Sequence, residues 1–150
     1  MAELARTFLA GIYDEFELRG YNLDTQITEE RLDCDVDAKQ LTRVFENVVS
    51  NFFKYTPQGT TLLFVAEKAE NKAVIRIADN GPGINDESKN DVFEAFVVGE
   101  KSRKGQGSGL GLAVCKKIIE MHGGTITLAK EPIEGYSTQF DITLDLAEEK

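Results

Sequence analysis

From Gly105 to Gly111 the chain alternates glycine with other residues: Gly105-Gln106-Gly107-Ser108-Gly109-Leu110-Gly111. Glycines leave backbone N–H groups unscreened, and helical apolar spacing begins directly after them. Bare N–H groups at a helix N-terminus make a seat for phosphate oxygens. The same glycines also suit a flexible loop, or tight helix packing at Gly109 and Gly111. Local charge favours an anion. Between residues 89 and 117 the cations Lys89, Lys101, Arg103, Lys104, Lys116 and Lys117 outnumber the anions Asp91, Glu94 and Glu100, in a chain of net charge −9. A solvated basic loop is the plainer alternative.

Two further groups carry chemistry. Asp79-Asn80-Gly81-Pro82-Gly83 puts a carboxylate beside two glycines at the end of an apolar run. A carboxylate there can accept a hydrogen bond from an exocyclic amine such as that of adenine, and glycines let a flat ring approach the backbone. A plain turn with local Asp and Asn bonds also fits. Asn47 and Asn51 stand four apart on an otherwise apolar helical pattern, hence on one face, and Lys54 follows three later. An amide oxygen is a hard neutral ligand suited to Mg²⁺, which keeps waters and substrate phosphates; two asparagines bonded to nearby backbone are the alternative. Neither G-x-x-x-x-G-K-[ST] nor G-x-G-x-x-G occurs, so the common P-loop and dinucleotide-binding patterns are absent. Nor do the H-R-D and D-F-G signatures of eukaryotic-type protein kinases.

The elements that must position these groups follow from periodicity. Leu4, Phe8, Ile12 and Phe16 step by four, which predicts a helix over 2–19 with Gly20 as its stop. Weak alternation over 21–36 (Leu23, Thr25, Ile27) predicts short strands. Asp37 is an expected N-cap with Gln40 as its capping-box partner. Leu41, Val44, Phe45, Val48, Val49 and Phe52 then form the apolar face of a long helix, closed by a turn at Pro57-Gln58-Gly59. Residues 60–68 and 72–78 predict a hairpin around Glu70-Asn71. A short helix is expected at 89–96, a mobile loop at 97–109, a helix from Leu110 to Met121 ended by Gly123-Gly124, and strands at 125–130 and 137–146. Helices mixed with hairpin-connected strands suggest one sheet with helices on one face.

Composition bounds the rest. The 150 residues are 41% hydrophobic and 29% charged, a single globular domain rather than a disordered chain. An acidic balance, 26 Asp and Glu against 17 Lys and Arg, disfavours general nucleic-acid binding. Cys34 and Cys115 stand far apart without a CxxC, which argues against a disulfide framework or zinc site and suits a reducing compartment. One histidine, His122, excludes a multi-histidine metal site. With no long apolar run and no signal core, the expectation is a soluble cytoplasmic domain without direct membrane contact, whose parent could be anchored in an inner membrane.

In order along residues 20–146, these segments resemble the catalytic ATP-binding domain of bacterial sensor histidine kinases, in the GHKL ATPase superfamily. Asn47-Val48-Val49-Ser50-Asn51-Phe52-Phe53-Lys54-Tyr55-Thr56 is similar to the family's asparagine box. Asp79 to Ile84 resembles the first glycine box, and Phe93-Glu94-Ala95-Phe96 the phenylalanine box. Gly107 to Ala113 resembles the second glycine box. His122-Gly123-Gly124-Thr125-Ile126 and Gly135-Tyr136-Ser137-Thr138-Gln139-Phe140 match the closing segments.

The resemblance implies the Bergerat fold, a two-layer α/β (α+β) sandwich whose mixed sheet is covered on one face by helices, with residues 97–107 as an ATP lid. It implies ATP and Mg²⁺ as cofactors. Asn51 would coordinate Mg²⁺, and Asp79 would bind the adenine amine with support from Thr138. Gly81, Gly83 and Ile84 would shape the adenine loop, with Tyr55 nearby. Asn47 and Lys54 would face the phosphates. Gly107, Ser108, Gly109, Leu110, Gly111 and Leu112 would contribute the phosphate-binding turn, and Lys101 or Arg103 would reach the γ-phosphate. The expected partners are a phosphoacceptor histidine domain and a downstream response regulator.

The chain departs from the family at Phe52, where alanine is usual, and at Val98, where a cation is frequent. A bulky ring at position 52 must repack the helix. The sole histidine, His122, lies in the closing segment and reads as a structural residue ending a helix, so self-phosphorylation is not expected. ATP-hydrolysing relatives place a glutamate general base where this chain has Asn47, an amide that takes no proton at neutral pH. Glu46 is about 100° round the helix. Two rival functions share the fold: an anti-sigma-type serine kinase and binding protein, and an ATP-gated ATPase module.

Overall fold

A computed structural model describes residues 1–84, 92–93 and 111–147. The expected helix at 89–96 and the loop at 97–109 lie, apart from Val92 and Phe93, outside the described residues. So do Lys101, Arg103, Gly107, Ser108, Gly109 and Leu110.

The first helix, α1 (Ala2–Arg19), ends at Gly20, whose φ of 82° is the left-handed cap conformation open to glycine. Strand β1 (Asn22–Ile27) follows. No second strand forms before residue 37, contrary to the expectation of several short strands. The ladder ends where Thr28 N–H donates to Ala66 O, and Thr28 Oγ1 then accepts Glu30 N–H and turns the chain. The segment beyond is acidic and buries only Leu32 fully.

Helix α2 (Ala38–Tyr55) starts as its residues dictate: Asp37 Oδ1 accepts N–H bonds from Lys39 at 2.9 Å and Gln40 at 3.1 Å. The other half of the expected capping box goes elsewhere. Asp37 N–H donates to His122 Nε2 at 3.1 Å, and His122 Nδ1 lies 2.7 Å from Ile118 O. A ring accepting at Nε2 and donating at Nδ1 is neutral. His122 thus closes the helix that precedes it, Gly111–Met121, and pins it to the start of α2, the structural role its sequence position implied.

Strands β2 (Thr61–Ala69) and β3 (Lys72–Asp79) form the expected hairpin, with Glu70 at φ 58° in a two-residue turn. Then come α3 (Gly111–Met121), β4 (Thr125–Leu128) and β5 (Thr138–Asp145). The sheet order is β1-β2-β3-β5-β4. Strand β1 runs parallel to β2, as a crossover through α2 requires, and the other pairs are antiparallel. Strands β4 and β5 are each two residues shorter than alternation alone suggests.

One face of the sheet is covered. Phe64, Ile75, Ile77, Ile142 and Leu144 point inward, onto Phe8 and Phe16 of α1, Phe45, Val48 and Phe52 of α2, and Ile119 of α3. The other face is polar apart from Leu63, Val65 and Ala78, which pack under Tyr136, and from Val74 opposite Glu67. There Arg76 pairs with Glu67 and lies 3.9 Å from Asp141.

Gly124 sits where α3 turns back onto β5. A Cβ there would lie 2.3 Å from the Thr143 carbonyl oxygen and 2.7 Å from Leu144 Cδ2. Backbone cannot retreat from such a contact, so Gly124→Ala is expected to lower stability by about 3 kcal/mol. Thermal denaturation checks this; an unchanged melting temperature would show that the α3–β4 corner yields.

Candidate functional site

Strands β2, β3 and β5 bring one set of ends together. Asp79, the last residue of β3, is the register partner of Leu62 on β2 and of Thr138, the buried first residue of β5. Beyond Asp79 the chain turns, and its carboxylate Oδ1 accepts the Gly81 N–H at 2.9 Å. Asp79 is only partly exposed. Burial pushes its pKa above the ordinary aspartate range, and the Gly81 N–H bond pulls the other way. The result is a desolvated carboxylate with one oxygen fixed by backbone.

The glycine at 81 is a steric requirement. A Cβ there would lie 2.7 Å from Thr56 Cγ2 and 3.0 Å from Asp79 Oδ1. Thr56 is the C-cap of α2, held by its hydroxyl to Phe52 O at 2.7 Å. The end of the long helix therefore rests on the turn after β3. Asn80 closes the same turn, its Oδ1 accepting Thr61 N–H at 2.8 Å. Gly83 takes φ 83°, and Ile84 leans on the main core. Thr138 and Ser137 share a small recess with Ile84 and Leu128.

A second focus lies where α2 meets α3. Asn47 Nδ2 donates to Gly111 O at 3.3 Å, at the opening of α3. Below it Cys115 is fully buried, with Sγ 3.6 Å from Val44 O. Burial drives its thiol pKa up to about 12, against a smaller opposing contribution from the Asn47 side chain. This thiol is inert filling, not a nucleophile. Asn51, partly exposed, sits one turn after Asn47 on the same face and one turn before the Thr56 contact. So α2 links the Asp79 turn to the start of α3, with Asn51 between them.

The remaining candidates are placed less closely. Tyr55 is 42% exposed at the end of α2. Lys54 is exposed, two turns after Asn47 and about 20° round α2 from it, and it also borders a groove between α1 and α2 with Glu15, Arg19 and Glu46. Leu112 is buried in the core, leaving only its backbone for a ligand. Phe93, from the phenylalanine box, packs edge-on against Phe140 with centroids 5.8 Å apart. Phe52 sends its ring to α1 and the residue before β1, stacking on Phe16 at 5.6 Å and meeting Tyr21 at 5.1 Å. Two contributors were not singled out in sequence. Thr56 and Ser137 both abut the Asp79–Gly81 turn, and only tertiary contact reveals them.

Among the described residues no group of three or more His, Cys, Asp or Glu comes together, and no helix is long and apolar enough to cross a membrane. Residues 36–148 match the family of histidine kinase-, DNA gyrase B- and HSP90-like ATPases. Hybrid signal transduction histidine kinase D of Dictyostelium discoideum is 37% identical over 141 residues, covering 88% of this chain and 9% of that protein. Signal transduction histidine-protein kinase BaeS of Escherichia coli K12 is 31% identical over 134 residues, covering 88% of this chain and 28% of that protein. The chain thus spans less than a third of either curated relative. The nucleotide-free catalytic domain of histidine kinase ThkA superposes with a TM-score of 0.81 at 27% identity, over 96% of this chain and 91% of that one.

Proposed function

The chain belongs to the histidine kinase-, DNA gyrase B- and HSP90-like ATPase family, within it to the ATP-binding domains of sensor histidine kinases, and on that premise we propose that it passes the γ-phosphoryl of Mg-ATP to a histidine on a separate phosphoacceptor domain. The observation that carries the nucleotide reading is the Asp79 turn. A half-desolvated carboxylate has one oxygen held by Gly81 N–H, and Gly81 has no side chain between it and Thr56. That leaves an acceptor at a backbone cradle that a Cβ would fill, which fits a flat ring presenting an amine.

The rest of the reading follows the elements. Thr138 faces Asp79 in register and supports it. Gly81, Gly83, Ile84 and Tyr55 border the base. Backbone N–H groups of Gly107 to Leu112 take the phosphates, and Asn47 holds the start of α3 by its bond to Gly111 O. Mg²⁺ neutralises phosphate charge when bound, and the Asn51 amide oxygen is its protein ligand, a neutral donor suited to a cation that keeps waters and phosphates. Lys101 and Arg103 supply positive charge towards the γ-phosphate. Lys54, two turns after Asn47 on the same side of α2, turns its ammonium towards the phosphates.

Asn47 separates phosphoryl transfer from hydrolysis. The residue one turn before Asn51 has no proton-accepting group, so water lacks a general base there. A neutral imidazole needs none, being already nucleophilic. The downstream partner is a response regulator, and the domain works on the cytoplasmic side.

Calorimetric titration with a non-hydrolysable ATP analogue tests the site. Micromolar binding, about −8 kcal/mol at 1 μM, is expected, strengthened by Mg²⁺. In Asn51→Ala the Mg²⁺ enhancement is expected to vanish while metal-free binding stays. A Mg²⁺ effect that survives the substitution would remove Asn51 from the metal site. Steady ATP turnover by the chain alone would favour the ATPase-module reading instead.

A further inference from the structure

Ser137 bonds directly to the Asp79 turn. Its hydroxyl donates to Gly81 O at 2.6 Å, with Asp79 O a longer alternative acceptor at 3.2 Å. Its backbone N–H separately donates to Asp79 O at 2.9 Å. A hydroxyl has one hydrogen, so the shorter contact takes it. Gly81 is then fixed from two sides, by Thr56 against its Cα and by Ser137 at its carbonyl. Gly81 in turn fixes Asp79 Oδ1 through its N–H. The path from Ser137 to the carboxylate is three groups long and uses only hydrogen bonds of good length.

The geometry points to Ser137 as a positioning residue that sets the orientation of the Asp79 carboxylate and thereby the preference for a 6-amino purine nucleotide. The inference rests on the assignment of Asp79 to the adenine amine. Ser137 is exposed, so truncating its hydroxyl opens no cavity in the core. Removing that hydroxyl leaves the Ser137 N–H bond to Asp79 O and the register of β3 with β5 intact. What it frees is the Gly81 carbonyl, which is joined through the Gly81 Cα, a centre with no side chain to restrain it, to the N–H that orients Asp79. A carboxylate released from that N–H rotates, and its free oxygen no longer meets the amine at a fixed angle.

The test compares ATP with inosine triphosphate, which keeps the ribose and phosphates but carries a carbonyl in place of the amine. Affinities are measured by calorimetry for the unaltered chain, Asp79→Asn, Ser137→Ala and Ser137→Thr, each with its melting temperature. The unaltered chain is expected to prefer ATP, and Asp79→Asn to lose that preference. Ser137→Ala is expected to weaken ATP about tenfold and inosine triphosphate by less than about twofold, at an unchanged melting temperature. Ser137→Thr, which keeps the hydroxyl, is expected to restore most of the ATP affinity. If Asp79→Asn loses the preference and Ser137→Ala keeps it, the inference falls and the Asp79 assignment stands. If the unaltered chain shows no preference, both fall. An equal loss for the two nucleotides, or loss of the fold in Ser137→Ala, makes Ser137 merely structural and also overturns the inference.

Discussion

Asp79→Asn is expected to weaken ATP binding about a hundredfold, roughly 2.7 kcal/mol, without lowering stability. The two halves of that expectation have separate causes. Asparagine keeps an amide oxygen that can accept Gly81 N–H, so the turn after β3 survives. Its other terminal atom is then an NH₂ donor, aimed where the adenine amine also donates. A charge-assisted bond is lost and two donors face each other. The stability half follows from titration. Burial raises the folded pKa of Asp79 above its unfolded value, so the ionised carboxylate disfavours the fold above that pKa. Lowering the pH through the folded pKa removes this cost, and asparagine removes it at every pH. Titration calorimetry measures the first half and denaturant unfolding at pH 7 the second. Normal ATP affinity in the variant would refute the adenine role, and a clear loss of stability would mean the carboxylate serves the fold.

The same shift gives nucleotide binding its acid limit. Binding needs the ionised form, so affinity should fall as pH drops through the raised pKa of Asp79, above the pH at which an ordinary aspartate would fail. A binding curve that fell only in the ordinary aspartate range would place the critical carboxylate elsewhere.

What could be read from the chain before folding divides along local and non-local lines. Helix α2 was legible because its cap, apolar stripe and closing turn are all local: Asp37 does cap it, and the six expected apolar positions are its buried residues. The β2–β3 hairpin was legible for the same reason. Asp79, Gly81 and Asn51 were legible as chemistry because a carboxylate followed closely by two glycines, and paired amides, are unusual in otherwise apolar surroundings. The partner of Asp37 N–H was not. Gln40 is the local candidate, yet His122, 85 residues away, takes the bond. Ser137 and Thr56 fell within matched segments but carried no assigned role, for a related reason. Their types are ordinary in turns and caps, and only the register of β3 with β5 and the fall of α2 onto Gly81 bring them to the site. The absent second strand before α2 is a propensity failure. Alternation there was too sparse to bury, and a Thr28 hydroxyl turn redirected the chain.

Phe52→Ala is expected to lower stability by about 3–5 kcal/mol, a large share of the 5–15 kcal/mol typical of such a domain. The departure at position 52 from the small residue usual in this family is absorbed by aromatic packing. Phe52 is 4% exposed and lies among Phe16, Tyr21 and Phe53, with centroids 5.1 to 5.6 Å away. Arg19 lies over the Phe53 ring at 4.4 Å and closes the cluster from outside. Alanine would leave a cavity that α1, held at its end by the Gly20 cap and the Gly59 N–H bond to Gly20 O, can collapse into only in part. The ring points to α1, whereas Gly81 meets α2 through Thr56. Nucleotide affinity of the folded variant should therefore change less than about threefold, well under 1 kcal/mol. One bond could carry a larger effect: Tyr21 packs on Phe52 and donates its hydroxyl to Thr56 O at 2.7 Å. Unfolding in denaturant gives the stability loss, and titration at a temperature where the variant is folded gives the affinity. A tenfold affinity loss would show that the aromatic cluster sets the position of Thr56 against Gly81, and that the bulky residue at 52 is part of the adenine cradle as well as the core.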